Sequence, residues 1–352
     1  MRTDILKIGL AAFFGVWVVC PAVFALERLE PADGCYLGFT LGETDRVARL
    51  SSKLGITPAV YHRFFDFPVN TYDGVSLTNF LNEVLLNGGI VMLTLEPWDG
   101  LDSITESVCA DMGTLCAAYE KLGLDGVIIR FGHEMNGNWY RWGQRPHLYR
   151  EKFRLLAQNI HSRTTRTALL WAPSYGFGYP FGTPRVERGS ADFAALDTNG
   201  DGVLSLDDDM YEPYYPGDDA VDWVGMTIYH WGLEYPWFEN ELPVPNSFAD
   251  SLTGTYQGAT PNFYARYCVD GIHNKPMAIP ETAAFYNTQQ GGADEFEIKR
   301  AWWRQVFNIN GDTPSALDVA QHFPKVKCIA WFDQYKQEGE AQHDWIDWRV
   351  SA

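Results

Sequence analysis

Eight short apolar runs, at 36–41, 58–64, 89–96, 126–132, 168–172, 222–229, 276–281 and 326–332, recur along the chain with amphipathic stretches between most of them. This alternation narrows the available folds more than any other feature. The run Val127, Ile128, Ile129 is β-branched and bounded by Gly126 and Gly132, which suits a strand covered on both faces. Between two such runs, the segment 146–163 repeats Tyr149, Phe153, Leu156 and Ile160 at helical spacing on one face. Strands alternating with helices predict a parallel sheet, and eight such units close into an α/β fold of the (β/α)8, or TIM, barrel type. The chain has 352 residues, and barrels of this class use about 250 residues or more as one domain, so one large domain is expected. No internal repeat or low-complexity linker divides it. The connection at 173–220 breaks the rhythm: it is rich in Gly, Pro, Tyr and Asp and too long for an ordinary barrel loop. Tyr175, Phe177, Tyr179 and Phe181 in it are expected either to line a cleft or to pack the loop down.

The first 25 residues read as a separate element. Arg2 and Lys7 precede an apolar run at 8–20, and Ala25 follows as a small residue at a cleavage point, the pattern of a secretory signal peptide. The run is short for a spanning helix and is followed by Pro21. A signal peptide at 1–25, a catalytic barrel at 26–352 and an extracellular or periplasmic location are therefore expected. Without Cys20, the cysteines are Cys35, Cys109, Cys116, Cys268 and Cys328, an odd number that leaves at least one thiol free. Cys109 and Cys116, two turns apart on one helix, would stand roughly 10 Å from each other, too far to bridge. No Cys/His metal spacing is present, so structural thiols are expected.

The chemistry concentrates at 124–143, LDGVIIRFGHEMNGNWYRWG, where a strand runs into acid, imidazole, amide and indole groups. His133, Glu134 and Asn136 fall at the C-terminal end of that strand, where parallel α/β proteins build their sites. A carboxylate there, with Trp139 and Trp142 close by to stack on a ring, is a catalytic candidate rather than a solvated loop acid. Acid/base chemistry at such a site gains from a second carboxyl group, so that one can give a proton while the other attacks or activates water. Glu281, after the apolar run Met277 to Pro280, supplies the second at another strand end.

The run RFGHEMNGNWYRWG, 130–143, resembles the acid/base signature of glycoside hydrolase family 26, whose members are mostly β-mannanases with some mixed-linkage β-glucanases and β-1,3-xylanases. KPMAIPET, 275–282, is similar to the stretch that carries the family's nucleophile. TLEPWDG (94–100), YYPGDDAVDWVG (214–225) and HDWIDW (343–348) add weaker similarity, so the resemblance covers nearly the whole chain after the leader. It implies a retaining enzyme, with Glu134 as acid/base ending strand four and Glu281 as nucleophile ending strand seven. Pro280 before the nucleophile departs from the family's pattern and leaves the backbone setting of Glu281 open. The resemblance also implies a Tyr that hydrogen-bonds the nucleophile, placed here at Tyr229. Arg130 is expected to point at Glu281 and keep it ionised by opposite charge. His133, His230 and Trp331 are expected around the pair, with His133 either binding sugar or orienting Glu134. Trp98, Trp139, Trp142 and Trp231 are candidate sugar platforms, of which only some are expected to touch substrate. Glu96 is either a third active-site acid or a satisfied structural one.

A loop outside this constellation, DTNGDGVLSLDD at 197–208, has the spacing of a calcium loop. Asp197, Asn199 and Asp201 would take positions one, three and five, with Gly202 at the sharp turn. Val203 would offer its carbonyl, with Ser205 at nine and Asp208 at twelve. The last is Asp, shorter than the usual Glu, and the helix signal before the loop at 191–196 is weak. A structural calcium ion is set here against a solvated acidic turn, and no cofactor is expected for catalysis.

The formal net charge of −18 opposes nucleic acid and anionic membrane as partners. Aromatics make up 15% of the chain, including 13 Trp, more than a core needs and suited to stacking on sugar rings. The leading expectation is a secreted, monomeric, endo-acting hydrolase of β-1,4-mannan, with mixed-linkage β-glucan or β-1,3-xylan as alternatives because substrate choice lies in loops. A non-catalytic carbohydrate-binding barrel is the alternative of another class, and retention of both acids argues against it. A zinc hydrolase would need a second nearby His, which His133-Glu134 lacks.

Overall fold

The computed structural model describes residues 25–351 apart from 238, 259, 308–318 and 340. The leader expected at 1–25 lies, up to residue 24, outside the described residues. Eight parallel strands close into a barrel in sequence order: β1 (Tyr36–Thr40), β2 (Val60–Asp66), β3 (Ile90–Glu96), β4 (Gly126–Phe131), β5 (Thr167–Trp171), β6 (Trp223–Gly225), β7 (Met277–Thr282) and β8 (Val326–Phe332). Helices α1 (Val47–Leu54), α2 (Thr71–Asn87), α3 (Glu106–Leu122), α4 (Pro146–His161), α5 (Ala191–Leu196), α6 (Ser247–Thr253), α7 (Glu295–Val306) and α8 (Val319–His322) lie between strands. The TIM barrel read from the sequence is thus the architecture observed. Each strand alternates its side chains between two apolar environments, which is why the runs are hydrophobic on both faces. Val60, Met92, Ile128, Ala168, Ala278 and Cys328 meet inside the barrel. Val91, Ile129, Leu169, Ile279 and Ile329, on the opposite parity, join the layer under the helices.

Above the apolar plug the interior turns polar. His62 on β2 bonds Thr40 through Nδ1 and Thr94 through Nε2, both at 2.7 Å, and all three are buried. Arg130 sits in register with Thr94 on the next strand and is fully buried. Burial and the nearby Arg130 charge push the His62 pKa well below its ordinary value, so the ring is neutral. This layer is the floor of the site.

Two departures from the expected strands shape the rim. β7 carries one extra residue relative to β8: Ile279 pairs with Ile329, but Thr282, three positions on, pairs with Trp331, only two positions on. Such a bulge reverses the side-chain parity of the residues after it, and Pro280, which has no N–H to give to a ladder, sits inside it. Thr282 therefore faces outward, where Trp302 of α7 donates to its Oγ1 at 2.9 Å, and Glu281 faces the barrel mouth. β6 is regular for only three residues, because beyond Gly225 it tracks this irregular edge through single bonds such as Ile228 N to Glu281 O at 3.2 Å. The second departure is an antiparallel hairpin after the barrel, β9 (Tyr335–Glu338) and β10 (Asp344–Asp347), on the mouth side of β8. Within 173–220, Tyr179, Tyr211 and Tyr214 are buried and hold the long loop down. The five cysteines after residue 25 are all free, four of them buried, with Cys109 and Cys116 both on α3.

Candidate active site

The mouth opens into a cleft of about 670 Å³ whose walls include Glu96, Glu134 and Glu281. Glu134 leaves β4 by a turn in which Gly132 and Glu134 have φ of 51° and 53°. A glutamate held in the left-handed region costs about 1–2 kcal/mol, and here the turn projects the carboxyl into the cleft while Glu134 N is tied to Ala172 O at 3.0 Å. Glu281 approaches from across the mouth. An oxygen of each glutamate and a ring nitrogen of His133 all lie within 4.8 Å of one another.

The two acids have opposite surroundings. Arg130 forms an ion pair with Glu281 Oε1, and Tyr229 donates to its Oε2 at 2.8 Å. Both oxygens thereby accept, the arrangement of a carboxylate. Arg130 is held from the other side by Thr227 Oγ1 at 2.6 Å. Among the described residues no cation is bonded to the Glu134 carboxyl. Burial and the Glu281 charge raise its pKa to about 7, against the lowering pull of Arg130 and of hydrogen bonds from Thr227 and the Trp139 indole. The indole Nε1 donates to Glu134 Oε2 at 2.8 Å. Near neutral pH one group is thus an acceptor on both oxygens while the other retains a proton on part of its population.

The remaining candidates divide between cleft and core. Trp139, Tyr229 and Trp231 line the cleft, with Trp231 stacked on Trp237 at 4.8 Å. Tyr175, Phe177 and Phe181 of the long loop line it too, whereas Tyr179 packs beneath. Three tryptophans placed around the sugar are elsewhere. Trp142 is fully buried and donates to the His133 carbonyl at 2.6 Å, so it braces the acid-bearing turn and offers no face to a ligand. Trp331 has outward parity on β8 and is buried, bonding Trp348 O at 2.7 Å; Phe332 is the β8 side chain in the cleft. Trp98 is half exposed but stands behind Tyr140 and Trp142 and does not line the cleft. His230 is also turned away, buried and bonded to Glu241 O at 2.6 Å. His133 is buried below the acids with Nε2 at 3.1 Å from Tyr140 OH, and burial, Arg130 and His62 depress its pKa so that it is neutral. Gln334, Lys336, Glu338 and Trp348, brought in by the hairpin and the segment after it, were missed by sequence reasoning. Only the aromatic stretch at 343–348 gave a signal for them.

In the 197–208 loop, Asp208 is buried and its oxygens accept from Thr198 N at 2.8 Å, Asn199 N at 3.3 Å and Ser205 N at 2.9 Å. Asp197 Oδ2 accepts from Gly202 N at 2.9 Å, while its Oδ1 is buried without a hydrogen-bond partner. Asp201 and Asn199 bond each other's groups and Val203 N at the exposed tip. Among the described residues, three acid or imidazole ligand atoms converge only at His133, Glu134 and Glu281.

No protein-family profile matches the chain. By fold it resembles an endo-β-1,4-mannanase of Cellulomonas fimi, with TM-score 0.54 and 16% identity over 86% of this chain and 65% of that one. An endoglucanase of Thermotoga maritima aligns with TM-score 0.50 and 11% identity over 84% of this chain and 89% of that one. In sequence it is 23% identical to endoglucanase H of Acetivibrio thermocellus over 285 residues, 78% of this chain and 24% of the relative. The chain thus spans about a quarter of that curated relative and just under two thirds of the mannanase. The fold is the (β/α)8 barrel that this mannanase and this endoglucanase also have. The resemblance to glycoside hydrolase family 26 read from 130–143 and 275–282 agrees with it.

Proposed function

We propose that the protein is a secreted, endo-acting hydrolase of β-linked polysaccharide that works by retaining double displacement, with β-1,4-mannan as first substrate. The observation that carries this reading is the pairing of Glu134 and Glu281, with oxygens within 4.8 Å, in opposite environments. Retaining enzymes hold their carboxyl groups about 5–5.5 Å apart, whereas inverting ones leave about 6.5–9.5 Å for a water. Glu281 attacks the anomeric carbon as the glycosidic C–O bond breaks, and Glu134 gives its proton to the departing oxygen. Glu134, now ionised, takes a proton from water; the water oxygen attacks the same carbon and releases Glu281. Arg130 and Tyr229 orient the nucleophile and carry its charge between steps. The aromatic groups that line the cleft with the acids, Trp139, Phe181, Trp231 and Trp348 among them, suit stacking on the sugars of an extended chain.

Metal-assisted hydrolysis is less well supported, because the guanidinium bonded to Glu281 puts positive charge where a cation would bind. Digestion of mannan, mixed-linkage β-glucan and β-1,3-xylan by the protein lacking 1–25 tests the proposal, with product lengths and anomeric configuration read by NMR. Retained configuration and mixed-length early products support it; binding to glycan without cleavage would replace it with the carbohydrate-binding alternative. Export rests on the basic and apolar pattern at 2–25 and is tested by fractionating cells. For the 197–208 loop we propose a structural calcium ion, supported by the ligand spacing and by the unpartnered Asp197 Oδ1.

A further inference from the structure

Glu96 is a third carboxyl in the cleft that the two-acid mechanism leaves unused. It ends β3 with inward parity, after Ile90 and Met92 in the barrel plug and Thr94 in the polar floor. Its backbone is fixed, since Glu96 O accepts from Phe67 N at 2.8 Å and from Trp98 N at 2.9 Å. Its side chain is half-buried and lines the cleft. Among the described residues it forms no ion pair within 4 Å. Withdrawing a carboxyl from water without a cation is costly, and two neighbouring acids add to the cost. Glu281 across the mouth and Asp66, its register partner on β2, repel its charge, and Arg130, paired with Glu281, offsets this only in part and from a distance. The Trp98 side chain supplies one hydrogen bond, and burial with those charges still raises the pKa to about 7.

The cleft around it is unevenly built. From β8 round to β3 its wall carries the hydrogen-bonding groups of Glu96, Gln334, Lys336 and Glu338 beside the rings of Phe64, Phe332 and Trp348. From β4 to β6 it is mostly rings, among them Trp139, Phe181, Trp231, Tyr235 and Trp237. A ring face accepts many sugars by stacking, whereas a carboxyl reads where hydroxyls point. Glu134 must reach the oxygen that leaves with the aglycone, and it leans on Trp139 at the ring-lined side. The glycone is then left to the polar side. We propose that Glu96 is a specificity-determining residue that hydrogen-bonds hydroxyls of the glycone sugar and discriminates between sugars differing in hydroxyl orientation.

The inference rests on the glycan-hydrolase reading above. Glu96→Gln and Glu96→Ala are compared with the unmodified protein on the glycan it cleaves and on its epimeric counterpart, mannan against β-glucan, with melting curves to show that each variant folds. For Glu96→Ala, KM should rise by about 10–100-fold on the preferred glycan with kcat changed much less, and the preference between the two glycans should fall by a similar factor. Glu96→Gln, which keeps one acceptor, should recover part of the loss. Folded variants with KM and preference within twofold of the unmodified protein overturn the inference while leaving the hydrolase reading intact. No cleavage by the unmodified protein would remove that reading instead. Equal loss on both glycans, carried in kcat, would show a structural role and also overturn the inference.

Discussion

Replacing Trp139 by Phe should move the alkaline limit of activity upward. The indole N–H donates to Glu134 at 2.8 Å, and a donor favours the ionised form of a carboxyl. With a pKa raised to about 7 by burial and Glu281, Glu134 is protonated below that pH, and activity that needs its proton falls as pH rises through it. Removing the donor removes stabilisation from the carboxylate only, so the pKa rises further. A hydrogen bond to a charged group contributes about 1.5–3 kcal/mol. Trp139 is 40% exposed, so water replaces part of the loss and about 1.4 kcal/mol remains, or one pH unit. The assay is kcat/KM against pH on the glycan chosen by the digestions and on an aryl glycoside with a good leaving group. Overall rates should fall, because a sugar-facing ring has also changed, but the limb on the glycan should shift from near 7 toward 8. A limb that stays in place or moves down would refute the assignment of Glu134 as the acid titrating there. The aryl glycoside needs little protonation in its first step, so a limb common to both substrates would point to another group.

Glu281→Ala should abolish turnover of every substrate, whereas Glu134→Ala should lose about 10²–10⁴-fold on glycan and much less on activated aryl glycosides, with azide restoring only the latter; equal losses on both would remove the acid/base role. Tyr229→Phe deletes the 2.8 Å donor to the nucleophile and should lower kcat about 10–100-fold with little change in KM, as measured by steady-state kinetics. Glu134→Gln should be more stable than the unmodified protein above pH 7 but not below pH 4.5. The raised folded pKa means proton-linked stability is complete below the unfolded value and lost by about 7, a difference of about 3 kcal/mol that melting curves at pH 4 and pH 8 would show. Calcium should raise Tm and a chelator lower it, with Asp201→Ala erasing the difference; unchanged melting in protein shown beforehand to be metal-free rejects the ion.

The barrel, and the placing of Glu134 and Glu281 at its mouth, were legible because each rests on a local pattern. Short β-branched runs bounded by glycine state where strands lie, and polar groups directly after an apolar run state which end carries the site. Which way an aromatic points was not legible, since that depends on parity and on turns. Trp142 comes eight positions after the acid and looks like a platform, yet the turn at 132–134 lays it under His133, where its indole is consumed by a backbone carbonyl. Trp331 and Phe332 are adjacent, and only the register of β8 against β1 and β7 decides that the phenyl enters the cleft and the indole faces outward.

Pro280 shows the same dependence at Glu281. Counted strictly from Ala278, which faces the barrel interior, Glu281 has the parity of Ile279, which faces the helices. A regular strand would therefore bury the Glu281 carboxyl under α7, at the cost of desolvating it without its present partners. The extra residue at the bulge turns the chain once more, sends Thr282 to Trp302 and leaves Glu281 between Arg130 and Tyr229. Proline suits this position because it cannot form the ladder bond that a regular continuation of β7 would use. The residue that looked like a departure from the pattern thus occupies the irregularity by which the carboxylate reaches the cleft.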